Sequence, residues 1–262
     1  AEERLRSRYF LREAWPEARS VLVAAENYLA DEPVDPGTPD EPRGAIVRYT
    51  WRNYYRDLHG RLRRLGRALK QEIGPGTDYR ISVNAFLPEK ALAVRAGVGS
   101  YGKNGVLLTP EFGSWVVLGV LLLNREISSR TPPVGDLCGD CRACLAACPT
   151  GALPEPGRLL RSRCLQELTN RESWPPGIEE VWGRRLYGCS TCQDVCPRNR
   201  GTPFRKDLPP YGVVGPSLPL TPILSHDEAW YRRQYAGNQL TASWISFPAI
   251  QRNARVALGN LR

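Results

Sequence analysis

Eight cysteines, all between Cys138 and Cys196, are the residues of this 262-residue sequence whose spacing most directly implies chemistry. The first four follow the pattern C-x2-C-x2-C-x3-C, and Pro149 comes directly after them. Bacterial ferredoxins carry this run, and their fourth cysteine ligates a different 4Fe–4S cluster from the first three. A shorter run at 189–197, CSTCQDVCP, repeats the ending with proline. The pattern predicts two iron–sulfur clusters.

The eight cysteines supply four ligands to each cluster if Cys164, which lies between the two runs, is the fourth ligand of the second cluster. We assign Cys138, Cys141, Cys144 and Cys196 to the first cluster and Cys148, Cys164, Cys189 and Cys192 to the second. Paired C-x2-C units also suit tetrahedral zinc, but the two C-x3-C-P endings favour iron–sulfur clusters. Two neighbouring clusters predict an electron-transfer path that ends at another redox centre or at a substrate.

Strands and helices alternate before the cysteines. The periodicity predicts a strand at 19–29, a loop at 33–44, a helix at 54–73 with a leucine stripe, a strand at 79–84, a helix at 88–97 ending at Gly97, and two strands within 106–123. After the cysteines we expect a proline-rich connection at 199–222 and helices at 225–237, capped by Ser225, and at 247–262.

These elements predict an α+β fold, in which an α/β-like domain with a mixed sheet is joined to a ferredoxin-like module with two clusters. We expect three segments: 1–130 as the sheet domain, 131–200 as the cluster module, and 201–262 as a C-terminal part that packs back on the body.

A glycine-rich stretch at 97–105, GVGSYGKNG, has the G-x-G-x-x-G spacing of a dinucleotide-binding loop. That site requires a strand before the loop and a helix after it, and here the predicted order is reversed. The glycines would instead let the backbone approach a flat or bulky ligand closely. A plain flexible turn is the alternative.

The net charge of +9 favours a polyanionic partner such as nucleic acid, although a solvated basic surface would carry the same charge. No apolar run approaches the roughly 20 residues of a membrane span. The start, AEERLRSRYF, lacks the apolar segment of a secretory signal. We therefore expect a cytoplasmic protein with no membrane partner, and a monomer.

Four segments, taken in order, resemble the hallmark segments of epoxyqueuosine reductases: RAGVGSYGKNGVLLTPEFGSWVVLG, CGDCRACLAACPTGAL, RLYGCSTCQDVCPRNR and RNARVALGN. The resemblance runs from about residue 16 to the end of the chain. Reductive dehalogenases are related to this family and share a corrinoid domain and two clusters.

The resemblance implies that cobalamin lies between the sheet domain and the cluster module, and that an external low-potential donor supplies electrons through the clusters. It implies a tRNA anticodon stem-loop as partner and reduction of epoxyqueuosine to queuosine as the activity. No histidine is expected to ligate cobalt. The implied cofactor contacts are Asn53, Gly97, Gly99, Ser100, Tyr101, Gly102, Lys103, Asn104, Gly113, Ser114 and Trp115.

The chain departs from the family at residues expected near the substrate. The family typically reads Asp-Tyr-His where this chain has Asn53, Tyr54 and Tyr55, and it carries a proton-donating Asp where this chain has Asn84. Because an amide has no proton to give at neutral pH, Tyr54 and Tyr55 become candidate donors beside Asn84. The family's GWIGKN is GSYGKN at 99–104.

These departures keep other functions open: a related cobalamin-dependent reductase for another small substrate, for example a reductive dehalogenase, an electron-transfer partner without its own substrate, or an inactive RNA-binding relative. The family's first strand and helix are missing before Ala1, and the helical repeats of many members do not follow ALGN. We therefore expect a fragment or a shortened relative.

Overall fold

The first half of the chain folds into an antiparallel sheet flanked by helices. The computed structural model describes residues 11–128 and 131–261. The elements are α1 (Leu11–Ala14), β1 (Ser20–Asn27), β2 (Arg43–Ile46), α2 (Tyr54–Ile73), β3 (Tyr79–Val83), α3 (Glu89–Arg95), β4 (Ser100–Tyr101), β5 (Leu107–Leu108) and β6 (Val116–Leu123). β6 lies between β1 and β3 and is antiparallel to both. The predicted mixed pairing is therefore wrong for this sheet, because the connection from β3 through α3 and the β4–β5 hairpin reverses the chain direction.

The central strand β6 is covered by helices on both faces, which explains its nearly continuous apolar sequence. On one face, Leu58 and Leu62 of α2 pack against it. A Cβ at Gly119 would lie 2.6 Å from Cδ1 of Leu62, so glycine allows this close approach. On the other face, Leu92 of α3 and Trp15 complete a second apolar cluster.

The bounds of α2 agree with the predicted helix, but its buried stripe differs at one position. Leu58 and Leu62 are buried, whereas Leu65 is 42% exposed. Gly66 takes the buried position, where a Cβ would lie 2.5 Å from the ring of Tyr79. Glycine at position 66 therefore allows α2 to lie close to β3.

The second half contributes short helices and two strands. They are α4 (Ala143–Ala146), α5 (Leu165–Leu168), α6 (Ile178–Trp182), β7 (Arg185–Tyr187), α7 (Thr191–Asp194), β8 (Ser217–Pro219), α8 (Leu220–Ser225), α9 (Glu228–Gln234) and α10 (Phe247–Gly259). Single 3₁₀ turns lie at Arg48–Thr50, Arg161–Arg163, Pro197–Asn199 and Gln239–Thr241. Within the described ranges, no helix is long and apolar enough to cross a membrane.

A second sheet joins all three predicted segments. Its order is β7–β2–β8, in which β2 is parallel to β7 and antiparallel to β8. Each strand comes from a different segment, so the boundaries at 130 and 200 divide a chain whose parts share one sheet. The cluster module is thereby attached to the body through backbone hydrogen bonds.

The sequence predictions missed these short strands. Residues 33–44 were expected to be a loop, but β2 begins at Arg43, and the expected connection at 199–222 contains β8 and the start of α8. Ser225 ends α8 instead of capping a helix, and Asp227 caps α9 by accepting a hydrogen bond from Trp230 N (2.8 Å). Strands of three or four residues are too short to show periodicity.

Candidate redox site

The four cysteines predicted for the first cluster border one cavity of about 300 Å³: Cys138, Cys141, Cys144 and Cys196. The first two are joined by a turn in which Cys141 N donates to Cys138 O (3.1 Å), and Cys144 lies in α4. Cys196 follows α7 and directly precedes the last 3₁₀ turn of the module. The backbone N–H of Lys103 donates to Sγ of Cys138 (3.4 Å). The fold thus brings the two cysteine runs together.

The other four cysteines border a second cavity of about 330 Å³: Cys148, Cys164, Cys189 and Cys192. Cys164 reaches it from the turn that precedes α5. All eight cysteines are free of disulfides. In the part of the chain that the structure describes, no three His, Cys, Asp or Glu side chains are grouped to hold a single metal ion. Each quartet borders a cavity of several hundred cubic ångströms instead.

Burial favours the protonated form of four of these eight thiols when no metal is bound. It raises the pKa of Cys192 to about 12, with the nearby Cys189 adding to the effect. It also raises the pKa of Cys144, Cys164 and Cys196. At Cys148, burial opposes ionisation, but hydrogen bonds from Thr150 and from neighbouring backbone groups outweigh it and lower the pKa. Four thiolates would therefore require a cationic group in each cavity.

Asn104 lies between the two quartets. Its buried side chain borders both cavities, and its Oδ1 accepts a hydrogen bond from Val106 N (3.1 Å). A hydrogen bond from Asn104 partly offsets the rise in the pKa of Cys192. The C-terminal end of the glycine-rich loop therefore contacts the cysteine module.

The second cavity belongs to both parts of the molecule. Beside its four cysteines, it is lined from the sheet domain by Tyr28, Tyr49, Tyr55, Ser114, Val106, Val116 and Val117. Gly105 also borders it in a left-handed conformation (φ +74°), and a Cβ there would meet nothing within 4 Å. The cavity consequently combines thiols on one side with an apolar wall and a few hydroxyl groups on the other.

A buried hydrogen-bond network fixes this junction. Nε2 of Gln193 donates to the hydroxyl of Tyr28 (3.1 Å) and to the carbonyl of Ser114 (3.0 Å). Oδ1 of Asn199 accepts from Ser114 N (2.7 Å). On the opposite side, Gln166 donates to the hydroxyl of Tyr49 (2.7 Å) and accepts from Cys189 N (3.2 Å). The cysteine module is thus positioned against the sheet domain by side-chain amides.

The tyrosines around the cavity are held as neutral phenols. Burial raises the pKa of Tyr28, Tyr49 and Tyr55 above the usual value, and in each case other tyrosines or acids add to the effect. A phenol with a raised pKa gives up its proton reluctantly at neutral pH. These residues are therefore suited to donate hydrogen bonds to a ligand rather than to transfer protons.

A side chamber of about 250 Å³ adjoins this cavity and is lined by further polar residues of the sheet domain. It is lined by Tyr55, Asn84, Glu89 and Lys90 together with apolar residues of β5 and β6. Asn84 has φ +50°, a left-handed conformation that is uncommon for a residue with a side chain. Oε1 of Glu89 accepts from Ser82 Oγ (2.9 Å) and from Ala85 N (3.2 Å). Nζ of Lys90 donates to Gly105 O (2.8 Å).

Two of the expected cofactor contacts, Asn104 and Ser114, line the second cavity. The others do not border it: Asn53, Gly97, Gly99, Ser100, Tyr101, Gly102, Lys103, Gly113 and Trp115. Lys103 borders the first cysteine cavity, and Tyr101 is 47% exposed. Trp115 is buried behind the cavity with its ring 5.9 Å from that of Tyr28. Asn53 caps α2 by accepting from Arg56 N (3.0 Å).

Of the candidate catalytic residues, Tyr55 borders both chambers and Asn84 borders the side chamber. Tyr54 does not: it is fully buried in the core, and its hydroxyl has no hydrogen-bond partner. The expectation that Tyr54 donates a proton conflicts with this placement, because consecutive residues of a helix point in different directions. His59 is exposed on α2, and His226 stacks on Trp230; neither histidine borders the two cysteine cavities or the side chamber.

Sequence reasoning missed several residues that line the site: Tyr28, Tyr49, Lys90, Gln166 and Gln193. They lie in different elements and have no shared spacing. The proximity of Lys90 to the glycine-rich loop was the only available signal, since it lies in the helix that precedes that loop.

Comparison with known proteins identifies two parts of the chain. A family described as "Epoxyqueuosine reductase QueG, DUF1730" matches residues 8–85, and one described as "4Fe-4S double cluster binding domain" matches residues 137–199. The second range contains all eight cysteines. The fold is therefore a mixed α/β structure that includes a domain for two 4Fe–4S clusters.

Individual relatives match nearly the whole chain. The epoxyqueuosine reductase of Bacillus subtilis (strain 168) is 35% identical over 254 residues, which cover 94% of this chain and 64% of the relative. That of Lactococcus garvieae (strain Lg2) is 33% identical, with 99% and 73% covered. A crystal structure of an epoxyqueuosine reductase with a tRNA-Tyr epoxyqueuosine-modified stem-loop superposes with a TM-score of 0.83 at 34% identity, covering 95% of this chain and 66% of that one. The chain spans 64–65% of the length of several curated relatives.

Proposed function

The chain belongs to the epoxyqueuosine reductase family, and we propose that it reduces epoxyqueuosine in tRNA to queuosine. One structural observation carries the proposal: four cysteines of the double-cluster domain and the polar residues of the sheet domain border the same cavity. A cluster held there would lie directly beside a substrate or second cofactor. An electron carrier without its own substrate would not need such a cavity.

We propose that each cysteine quartet holds one 4Fe–4S cluster, with Cys164 as a ligand of the second. The chemistry of the donors supports this assignment, since eight free thiols border two cavities in sets of four. When bound, the clusters would supply one-electron transfer at low potential. Asn104 would lie between them, and Gln166 would orient the backbone at Cys189.

Cobalamin is the proposed second cofactor of this cavity. When bound, it would supply the cobalt redox chemistry that removes an epoxide oxygen. The residues present fit one part of it: Val106, Val116 and Val117 form an apolar wall, and the backbone at Gly105 is open to close approach. The volume of about 330 Å³ is at the lower end of small-ligand sites, so most of this large cofactor would extend beyond the cavity.

The proposed macromolecular partner is the anticodon stem-loop of a tRNA. The net charge of +9 supports binding to a phosphate backbone. The related reductase that was crystallised with an epoxyqueuosine-modified stem-loop supports the same class of substrate. An external low-potential electron donor is also required, and we expect the protein to act in the cytoplasm, where tRNA is modified.

The test is turnover of an epoxyqueuosine-containing stem-loop. The protein would be reconstituted anaerobically with iron, sulfide and cobalamin and supplied with a low-potential reductant. The stem-loop would then be digested, and its nucleosides would be identified by mass spectrometry. We expect queuosine only when all components are present. Full cluster and cobalamin loading without queuosine would contradict the proposed function, and an unmodified stem-loop serves as the control.

A further inference from the structure

The proposed reaction needs a proton donor at the cavity, and we propose that Lys90 supplies this proton to the oxygen of the substrate. This inference rests on the proposed function, because it concerns the same cavity and substrate class. Converting an epoxide to an alkene breaks two carbon–oxygen bonds, forms one carbon–carbon double bond and releases water. It consumes two electrons, here from the external low-potential donor, and two protons. Lys90 would deliver the first proton to the oxygen and recover a proton from solvent, and the second proton, which completes the released water, would come from solvent by the same route.

The position of Lys90 carries the inference. Five residues border both the second cysteine cavity and the side chamber: Tyr55, Lys90, Val106, Val116 and Val117. Only Tyr55 and Lys90 among them have an ionisable proton. Nζ of Lys90 donates to Gly105 O (2.8 Å), so the ammonium group is held at the point where the two chambers meet. A substrate oxygen that enters from either chamber would reach it.

The charged and titratable groups around Lys90 leave its ammonium group available. The ring of Tyr101 lies 5.9 Å from Nζ, and Tyr55 and Glu89 face the same chamber. Oε1 of Glu89 already accepts two hydrogen bonds. None of the ion pairs found among residues 11–128 and 131–261 includes Lys90. Part of the Lys90 side chain reaches solvent, although its ammonium group lies at the chamber, and this provides a route for regaining its proton.

The ammonium group of Lys90 is better suited to donate a proton than the phenol of Tyr55, because their pKa values are shifted in opposite directions. Burial raises the pKa of Tyr55, which makes its phenol a weaker acid than usual. Partial burial of the ammonium group lowers the pKa of Lys90, which makes it a stronger acid than a lysine in water. A donor is more effective as its pKa approaches the working pH. The amide of Asn84, which borders only the side chamber, offers no proton, so Lys90 is the stronger acid where the two chambers meet.

The test compares Lys90→Ala and Lys90→Arg with the wild type and with the control Lys70→Ala in the turnover assay. Lys70 is an exposed residue of α2 that pairs with Asp78 (3.5 Å) and borders neither chamber. We expect kcat of Lys90→Ala to fall by about 10²–10⁴-fold, the usual contribution of a positioned acid. Iron content and affinity for the stem-loop should be unchanged.

Two further readouts distinguish proton donation from a structural role. The wild-type kcat should fall at alkaline pH as Lys90 loses its proton, this limb should be absent in Lys90→Ala, and added small primary amines should restore turnover. In the free protein, the titration of ¹³C-dimethylated lysines by NMR should give Lys90 a pKa below the usual lysine value.

The possible failures are distinguishable. If the wild type makes queuosine and Lys90→Ala does so within about threefold, with an unchanged alkaline limb, the role of Lys90 is refuted while the proposed function stands. If the loaded wild type makes none, both fall together.

Discussion

Removing the thiol of Cys164 tests how the eight cysteines are divided. Cys164 borders only the second cavity, together with Cys148, Cys189 and Cys192. In the proposed assignment, Cys164→Ala leaves three ligands in that cavity and all four in the other. Each intact cluster contains four irons, so the iron content should fall from about eight to about four per chain.

The assay is colorimetric iron and sulfide determination on anaerobically reconstituted protein, with EPR of the reduced state. The wild type should show two interacting reduced clusters, and Cys164→Ala should show one isolated cluster without the magnetic coupling. Cys141→Ala is the matched control, because Cys141 is an exposed cysteine of the first quartet. It should also lose about four irons but retain the other cluster, with a different EPR signal.

Folding must be intact for this comparison, so the circular dichroism of each variant should match that of the wild type. Cys164→Ala with about eight irons would refute the assignment of Cys164. A loss of nearly all iron in a folded variant would refute the independence of the two cavities. The combined Cys141→Ala and Cys164→Ala variant should retain almost no iron.

Three further predictions concern the scaffold. Arg205→Gln breaks a buried ion pair with Glu26 (3.0 Å) and should reduce the free energy of unfolding by about 3–5 kcal/mol in urea titrations. Arg158→Gln, which breaks an exposed ion pair, should change it by less than about 1 kcal/mol, and equal effects of the two variants would contradict the role of burial. Gly119→Val should cost about 1–3 kcal/mol through overpacking against α2, and an unchanged urea midpoint would refute that contact. At Glu167, burial opposes ionisation, but hydrogen bonds from two arginines outweigh it and lower the pKa. Glu167→Gln should therefore reduce the free energy of unfolding by about 0.5–1 kcal/mol above pH 4.5, and this difference from the wild type should vanish as the pH falls through the lowered pKa. A difference that persists at low pH would contradict this cause.

The sequence allowed the long elements and the family to be predicted. The helix at 54–73 could be predicted because its apolar residues recur at helical spacing over five turns, and the strand at 19–29 because it is an apolar run between turn signals. The structure confirmed both elements. The membership of the epoxyqueuosine reductase family was confirmed by the relatives. The cysteine runs predicted a double-cluster domain because ligand spacing is a local property of the chain.

The rest depended on contacts between distant residues. The sheet formed by β2, β7 and β8 joins strands more than 100 residues apart, and each strand is too short to show a period. Two neighbouring tyrosines could not be separated from sequence, since only the helix orientation shows that Tyr55 reaches the cavity and Tyr54 does not. Lys90 was missed because nothing in its own helix marks it.

The most direct test of the central claim, that one cavity joins the second cysteine quartet to the substrate, is a single-turnover experiment. Reconstituted protein with bound cobalamin would be reduced, freed of reductant and mixed with epoxyqueuosine stem-loop, while cluster absorbance and queuosine are followed together. We predict that two electrons leave the protein for each queuosine formed and that an unmodified stem-loop causes no oxidation. Queuosine formed without loss of electrons from the protein, or equal oxidation with the unmodified stem-loop, would contradict the claim.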